Sequence, residues 1–242
     1  MKKHKTRIYV NQSISSNLII YIKDKQHHFL KNVLRIKSGD EIILFDGISG
    51  EWLSQVISIN RDNIALRISK NLKKIKKSLD IWLIFAPIKQ SRMSLAIQKA
   101  TELGVSKIIP CKTQFTNIKN INIKNLFDNA IEAAEQSQRF DIPTIEKETD
   151  LMSLLQNWPD DRTLVFCDEK SNGKAIIETL EKIKHSETKW SVMVGPEGGF
   201  SDTERDFILQ NKNVVPVSLG NTILRSDTAI TVALYCLKEI TS

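Results

Sequence analysis

Cysteine is scarce in this 242-residue chain: Cys111, Cys167 and Cys236 lie far apart, are odd in number and form no CxxC pair. That spacing argues against a disulfide framework and a zinc finger, and makes a reducing cytoplasm the expected location. Long apolar runs are lacking too. The longest, residues 81–88 and 229–237, fall far short of the roughly 18 residues that span a bilayer. The basic N-terminus leads into polar residues instead of an apolar signal-peptide core, so neither membrane insertion nor secretion is expected. Glycine is rare at 9 residues, which gives weight to any cluster of them. What is present is ordinary for a globular protein, 41% hydrophobic and 26% charged, and long enough to form a core unaided by metal.

Acidic residues are short in the first third. Residues 1–77 carry 16 Lys and Arg against 6 Asp and Glu, a balance of +10, whereas residues 78–242 carry 19 against 22, a balance of −3. Charge alone leaves two readings open. One is a solvated, solubilising face; the other is a polyanion-binding module joined to a near-neutral body, because phosphates reward clustered cations through counterion release.

The first 70 residues read mostly as strand. Runs 42–45, 52–59 and 64–68 are β-branched and aromatic and are separated by turns at Asp46-Gly47, Gly50 and Arg61-Asp62-Asn63. One short helix is expected at 26–34, and the whole suggests a small β-barrel. The lysine-rich run 70–77 reads as a linker, or as a strand edge protected by lysines. From Leu79 strand and helix alternate. Strands are expected at 81–86, 107–110, 163–167, 190–194 and 214–219, and helices at 91–104, 125–140, 173–184, 201–211 and 227–239. That rhythm means an α/β domain with a mostly parallel sheet and ligands at its C-terminal strand ends.

Two loops carry the chemistry. Gly195-Pro196-Glu197-Gly198-Gly199-Phe200 follows a strand and precedes Ser201-Asp202-Thr203-Glu204, a capping-box pattern. It is a tight turn or a ligand loop; three of the nine glycines within five residues favour the ligand. It matches neither the dinucleotide nor the P-loop fingerprint. The second loop runs from Leu219 to Ala229 and holds Arg225 and Asp227 at a helix start. On spacing alone these are a cap with its surface partner, or a functional pair.

GPEGGFSDTE with LGNTILRSDTA closely resembles the paired signature of the RsmE family. These are bacterial S-adenosylmethionine-dependent enzymes of the SPOUT superfamily that methylate N3 of a uracil in 16S ribosomal RNA. Further stretches resemble the family in order and spacing: His27-His28, 33–40, Phe45-Asp46-Gly47, Lys89, 98–105 and 132–137. The resemblance implies a PUA-like β-barrel RNA-binding domain at 1–72 and, at 78–242, a SPOUT methyltransferase domain with a deep C-terminal trefoil knot, a rare exception to the unknotted rule. It also implies a homodimer, 16S rRNA of the small ribosomal subunit as partner, and no metal or membrane. Two departures stand out. Asp227 replaces a usual Glu, and Gln114-Phe115-Thr116 stands where an Arg-Ser pair is common, so Phe115 cannot hold phosphate.

Carried onto this sequence, the resemblance places S-adenosylmethionine on Val194, Gly195, Pro196, Glu197, Gly198, Gly199, Leu219, Gly220, Ile223 and Leu224. Arg225 would orient uracil or stabilise its oxygens, since a guanidinium stays charged and offers paired donors. Asp227 would orient Arg225 or act as base, the first being favoured. Arg35, Lys37, Lys89 and Arg92 are candidate RNA phosphate contacts. His27-His28 lacks metal-ligand neighbours and reads as RNA-facing or as helix packing; Glu102 and Glu135 read as solvated or interfacial. A SPOUT enzyme acting on another RNA, and an RNA-binding paralogue without turnover, are the alternatives.

Overall fold

The computed structural model describes residues 4–75, 78–118, 120–170, 174–183 and 189–241. The expected helix limits at Gly173 and Lys184, and Lys76 and Lys77 of the lysine run, lie outside the described residues. The chain forms two compact units, Met1–Lys77 with Ala134–Ile142, and Ser78–Ala133 with Pro143–Ser242. Residues 134–142, which the sequence reading counts with the second domain, thus pack with the first.

Among the described residues, the first unit is a five-stranded sheet in the order β1-β3-β4-β5-β2. Its strands are β1 (Arg7–Tyr9), β2 (Ile19–Ile22), β3 (Glu41–Phe45), β4 (Glu51–Ile59) and β5 (Ile64–Lys73). Helix α1 (Asp24–His28) continues as a wider π-helical turn, Phe29–Val33. Ile8, Ile20, Ile42, Val56 and Leu66, one from each strand, meet in a single apolar core with Leu30. β1 and β2 escape the sequence reading because three or four residues are too few to show a period. Lys70 and Lys73 belong to β5 and pair with Leu53 and Glu51 of β4; β2 pairs with β5 only over Ile64–Arg67. The lysines therefore line a strand edge and are not a linker at those positions.

Arg7 ties residues 134–142 to this unit. Its guanidinium is 8% exposed, donates to Glu51 at 2.7 Å and to the carbonyls of Ala134 and Arg139 at 2.8 and 2.5 Å, and lies 3.6 Å from the centre of the Phe45 ring. A buried cation needs such partners, since desolvation otherwise outweighs any gain.

The second unit is a seven-stranded sheet among the described residues, in the order β12-β10-β11-β6-β7-β8, with β9 also on β7. Its strands are β6 (Ile81–Phe85), β7 (Lys107–Lys112), β8 (Thr144–Ile145), β9 (Thr149–Asp150), β10 (Thr163–Cys167), β11 (Trp190–Val194) and β12 (Val214–Val217), every pairing being parallel. β11 is buried at every position, the near-continuous apolar reading of a sheet covered on both faces. The helices that follow in the chain are α2 (Gln90–Glu102), α3 (Ile123–Ser137, its last four residues counting with the first unit), α4 (Leu151–Gln156), α5 (Ile176–Ile183), α6 (Asp202–Leu209) and α7 (Ser226–Thr241).

Helix ends follow local chemistry. α2 stops because Gly104 takes φ +96°, so that its amide reaches the Thr101 carbonyl and the Val105 amide reaches Ala100, at 3.1 and 3.2 Å. α3 ends at Ser137, three residues before the expected limit. Gln138 turns to φ +59° and the Arg139 amide closes back on Ala134. α4 escapes the sequence reading, being six residues long; Asp150 caps it by accepting the Ser153 amide at 2.9 Å.

The carboxylate of Asp46, 6% exposed, holds the turn after β3. It accepts from the amides of Ile14, Ile48 and Ser49 and from the Ser49 hydroxyl at 2.7–3.0 Å. Burial pushes its pKa up, but these hydrogen bonds outweigh burial and the net shift is downward. A lowered folded pKa adds stability that is complete above the unfolded value of about 3.9 and is lost as pH falls through the folded one. Asp46→Asn should cost about 2 kcal/mol at pH 7 and weaken the acid-side decline, as read by urea unfolding between pH 7 and 3.

Candidate active site

Three parallel strands end at one rim. β12, β10 and β11 stand side by side and close with Val217, Cys167 and Val194. Beyond the carboxyl ends of an open parallel sheet is where a ligand crevice belongs, and there lies an open cleft. The loops after β11 and β12 wall it. Of the ten residues expected to hold a cofactor, Val194, Gly195, Pro196, Gly199, Leu219, Gly220, Ile223 and Leu224 line the cleft. Glu197 and Gly198 are outside its lining, as are Arg225 and Asp227, although their neighbours Leu224 and Ser226 belong to it.

One hydrogen bond joins the two loops. Ser226 Oγ donates to the Gly195 carbonyl at 2.8 Å, so the start of α7 is fastened to the first residue beyond β11. At Gly195 the glycine requirement comes from the protein itself. A Cβ there would lie 2.7 Å from the Phe200 ring, which is buried and packed edge-on against Phe166 with centroids 5.1 Å apart. Gly220 differs: φ is +122° and a Cβ there would meet nothing within 4 Å, so its constraint is conformational.

The capping box forms. Ser201 Oγ accepts from the Glu204 amide at 3.3 Å, and Glu204 Oε2 accepts from the Ser201 amide at 3.0 Å. Glu204 has a second role that its sequence context does not show. It is 9% exposed, and its Oε1 accepts the Gln114 amide at 2.7 Å. The loop after β7, itself braced by Thr113 and Thr116, is thereby pinned to the helix that follows the glycine loop.

Cys167, Asp168 and Glu169 also line the cleft, and sequence reasoning passes them over. The available signal is topological: Cys167 ends a buried strand of the same parallel sheet, and Asp168 and Glu169 follow it. Asp168 is 5% exposed and is held by Arg205 Nε and the Lys170 amide. Burial, helped by the neighbouring Cys236, lifts the Cys167 thiol to about 12. It stays protonated at neutral pH, which removes a thiolate nucleophile from the cleft.

Arg225 and Asp227 are close in sequence, yet no ion pair joins them among the described residues. Arg225 is exposed, and Asp227 Oδ1 is buried without a hydrogen-bond partner. The expected basic contacts divide between the units. Arg35 and Lys37 are exposed in the first; Lys89 precedes α2 in the second, and Arg92 is engaged by Glu197 at 3.1 Å. His27 Nε2 lies 3.3 Å from the Asn60 carbonyl. Glu102 pairs with Lys99 at 2.8 Å, while Glu135 accepts the Tyr9 amide at 2.9 Å and so has a structural role. Among the described residues no cluster of His, Cys, Asp and Glu could hold a metal ion, and no helix is long and apolar enough to cross a membrane.

A family described as an RNA methyltransferase domain matches residues 75–238, and an RNA methyltransferase PUA domain matches residues 22–69. The ribosomal RNA small subunit methyltransferase E of Rickettsia conorii is 35% identical, over 94% of this chain and 93% of that protein. The chain belongs to the RsmE family of RNA methyltransferases. A second RsmE relative, from Buchnera aphidicola subsp. Schizaphis graminum, is 30% identical over 98% of this chain and 97% of its own. The RsmE crystal structure from Neisseria gonorrhoeae, bound to S-adenosyl methionine, superposes with a TM-score of 0.86 at 25% identity, covering 98% of each chain. A Legionella pneumophila protein in complex with the same cofactor gives 0.87 at 26% identity over 97% of each chain. These neighbours bear out the expected fold class, a SPOUT methyltransferase domain preceded by a PUA-like domain.

The two glycines of the RsmE-family cleft should respond differently to alanine. Gly195→Ala should cost about 2 kcal/mol through overpacking and be partly relieved by Phe200→Leu. Gly220→Ala should cost about 1–3 kcal/mol through backbone strain and gain nothing from Phe200→Leu. Denaturant unfolding of the single and paired variants beside the parent checks both.

Proposed function

We propose that this chain transfers a methyl group from S-adenosylmethionine to N3 of a uracil in 16S rRNA of the small ribosomal subunit, in the cytoplasm and as a homodimer. We take the deep trefoil knot implied by the resemblance to accompany this activity. The observation that supports it most is the cleft at the ends of β10, β11 and β12, walled by both glycine loops, in a chain whose RsmE relatives carry the rRNA methyltransferase name and whose structural neighbours hold the cofactor.

The cleft suits such a guest. Val194, Val217 and Ala229 offer apolar wall, and the loop backbones at Gly195, Leu219 and Leu224 offer donors and acceptors. When bound, S-adenosylmethionine supplies an electrophilic methyl carried on a sulfonium.

The protein's part is to remove the N3 proton, hold N3 in line and stabilise charge on the uracil oxygens. Arg225, exposed beside the cleft, is assigned to the uracil oxygens. Asp227 is assigned to the proton. The sequence reading favours it as the residue that orients Arg225, but among the described residues no ion pair joins the two and its Oδ1 is buried without a hydrogen-bond partner, so the base role is the one proposed. Arg35, Lys37, Lys89 and Arg92 are assigned to RNA phosphates, Arg92 exchanging Glu197 for phosphate.

Purified protein, labelled S-adenosylmethionine and small subunits lacking the modification should give 3-methyluridine by nucleoside mass spectrometry. Methyl found at any other position would move the substrate assignment. Arg225→Ala should abolish transfer while cofactor binding is retained, and near-normal turnover would remove it from the mechanism. Asp227→Asn should lower kcat by about a hundredfold or more with an unchanged cofactor Kd.

A further inference from the structure

Phe115 is a large aromatic residue left 42% exposed in the loop after β7. That loop is not loose. The Gln114 amide is held by the buried Glu204 carboxylate at 2.7 Å, and the Thr113 amide and Thr116 hydroxyl close the turn at 3.0 Å. Phe115 also packs on the glycine loop: a Cβ on Gly198 would lie 3.1 Å from the Phe115 Cβ and 3.5 Å from its Cγ. The next residue back, Glu197, is the one that engages Arg92, a cation already assigned to RNA phosphate. An aromatic ring is thus presented to solvent on a braced loop, packed on the glycine loop whose preceding residue engages Arg92.

Aromatic side chains on which bases stack, together with basic residues that track the backbone, are how proteins receive single-stranded RNA. From this we propose that Phe115 is a substrate-positioning residue that stacks on an unpaired base of the RNA strand, either the target uracil or its neighbour. It rests on the methyltransferase reading and deepens it. Phe115 offers a base face, and the phosphate contact is the one already assigned to Arg92.

The test compares Phe115→Ala, Phe115→Trp and the parent on small subunits lacking the modification, with cofactor affinity measured by calorimetry and subunit binding by filter retention. Phe115→Ala should weaken RNA binding and raise KM for the subunits roughly five- to hundredfold, with cofactor Kd unchanged. Phe115→Trp should keep near-parental KM, because it retains the stacking face. An unchanged KM in Phe115→Ala overturns the proposal. So does a Trp variant as impaired as the Ala variant, or a loss confined to cofactor affinity, which would make Phe115 a prop for the glycine loop. If the parent binds subunits without transferring methyl, the function reading fails instead, and the binding comparison between variants still decides the role of Phe115.

Discussion

The site depends on a constraint of strand order. β12, β10 and β11 are neighbours in a parallel sheet, so their carboxyl ends, and the loops that leave them, must share one rim. Parallel strands cannot be joined by hairpins, and the chain reaches each of these strands through an intervening helix. Loops separated by about two dozen residues in sequence are thereby brought face to face. The cleft is the space between them, and every residue lining it comes from a strand end, one of these loops or the helix start that follows.

A few buried polar contacts convert that proximity into a defined shape. The Ser226 hydroxyl on the Gly195 carbonyl links the two loops, and Glu204 serves both its own helix cap and the loop after β7. Neither contact is large in energy, since a single hydrogen bond contributes on the order of 1 kcal/mol net. Their value is geometric, because a buried donor or acceptor that loses its partner costs more than the bond contributed. The same logic governs the first unit, where Arg7 gathers Glu51, Ala134 and Arg139 around one buried guanidinium.

The cleft contains little that reacts by itself. Its cysteine is held protonated by burial, and Asp168 is bound by Arg205. What remains is an apolar wall, backbone polar groups, the exposed Glu169 carboxylate with Ser218, Asn221 and Thr222 and, beside the cleft, an exposed guanidinium and a buried carboxylate oxygen without a partner. Such a set suits a reaction in which the reactive group arrives with a small molecule and the protein supplies position and charge. That is consistent with the RNA methyltransferase family to which the chain belongs.

Much of this is legible in the residues. The alternation from Leu79 onward announces a parallel α/β sheet because a strand buried on both faces is a near-continuous apolar run, and Ser201 with Glu204 announces a helix start because the capping box is local chemistry. The basic first third is visible as simple charge. Other features are out of reach because they depend on partners distant in sequence. β1, β2 and α4 are too short to carry a period and exist because neighbours complete them. Gly195 owes its lack of a side chain to Phe200, whose ring is fixed by Phe166 across the core. A two-residue spacing sets Asp227 beside Arg225, but the fold turns Arg225 to solvent and leaves Asp227 Oδ1 buried and unpartnered. Local propensity and pattern thus determined the elements, their order and the family signature. Which loops meet, which glycines are sterically required and which carboxylate oxygen is left without a partner were decided only by tertiary packing, because each depends on distances between residues that only the folded chain sets.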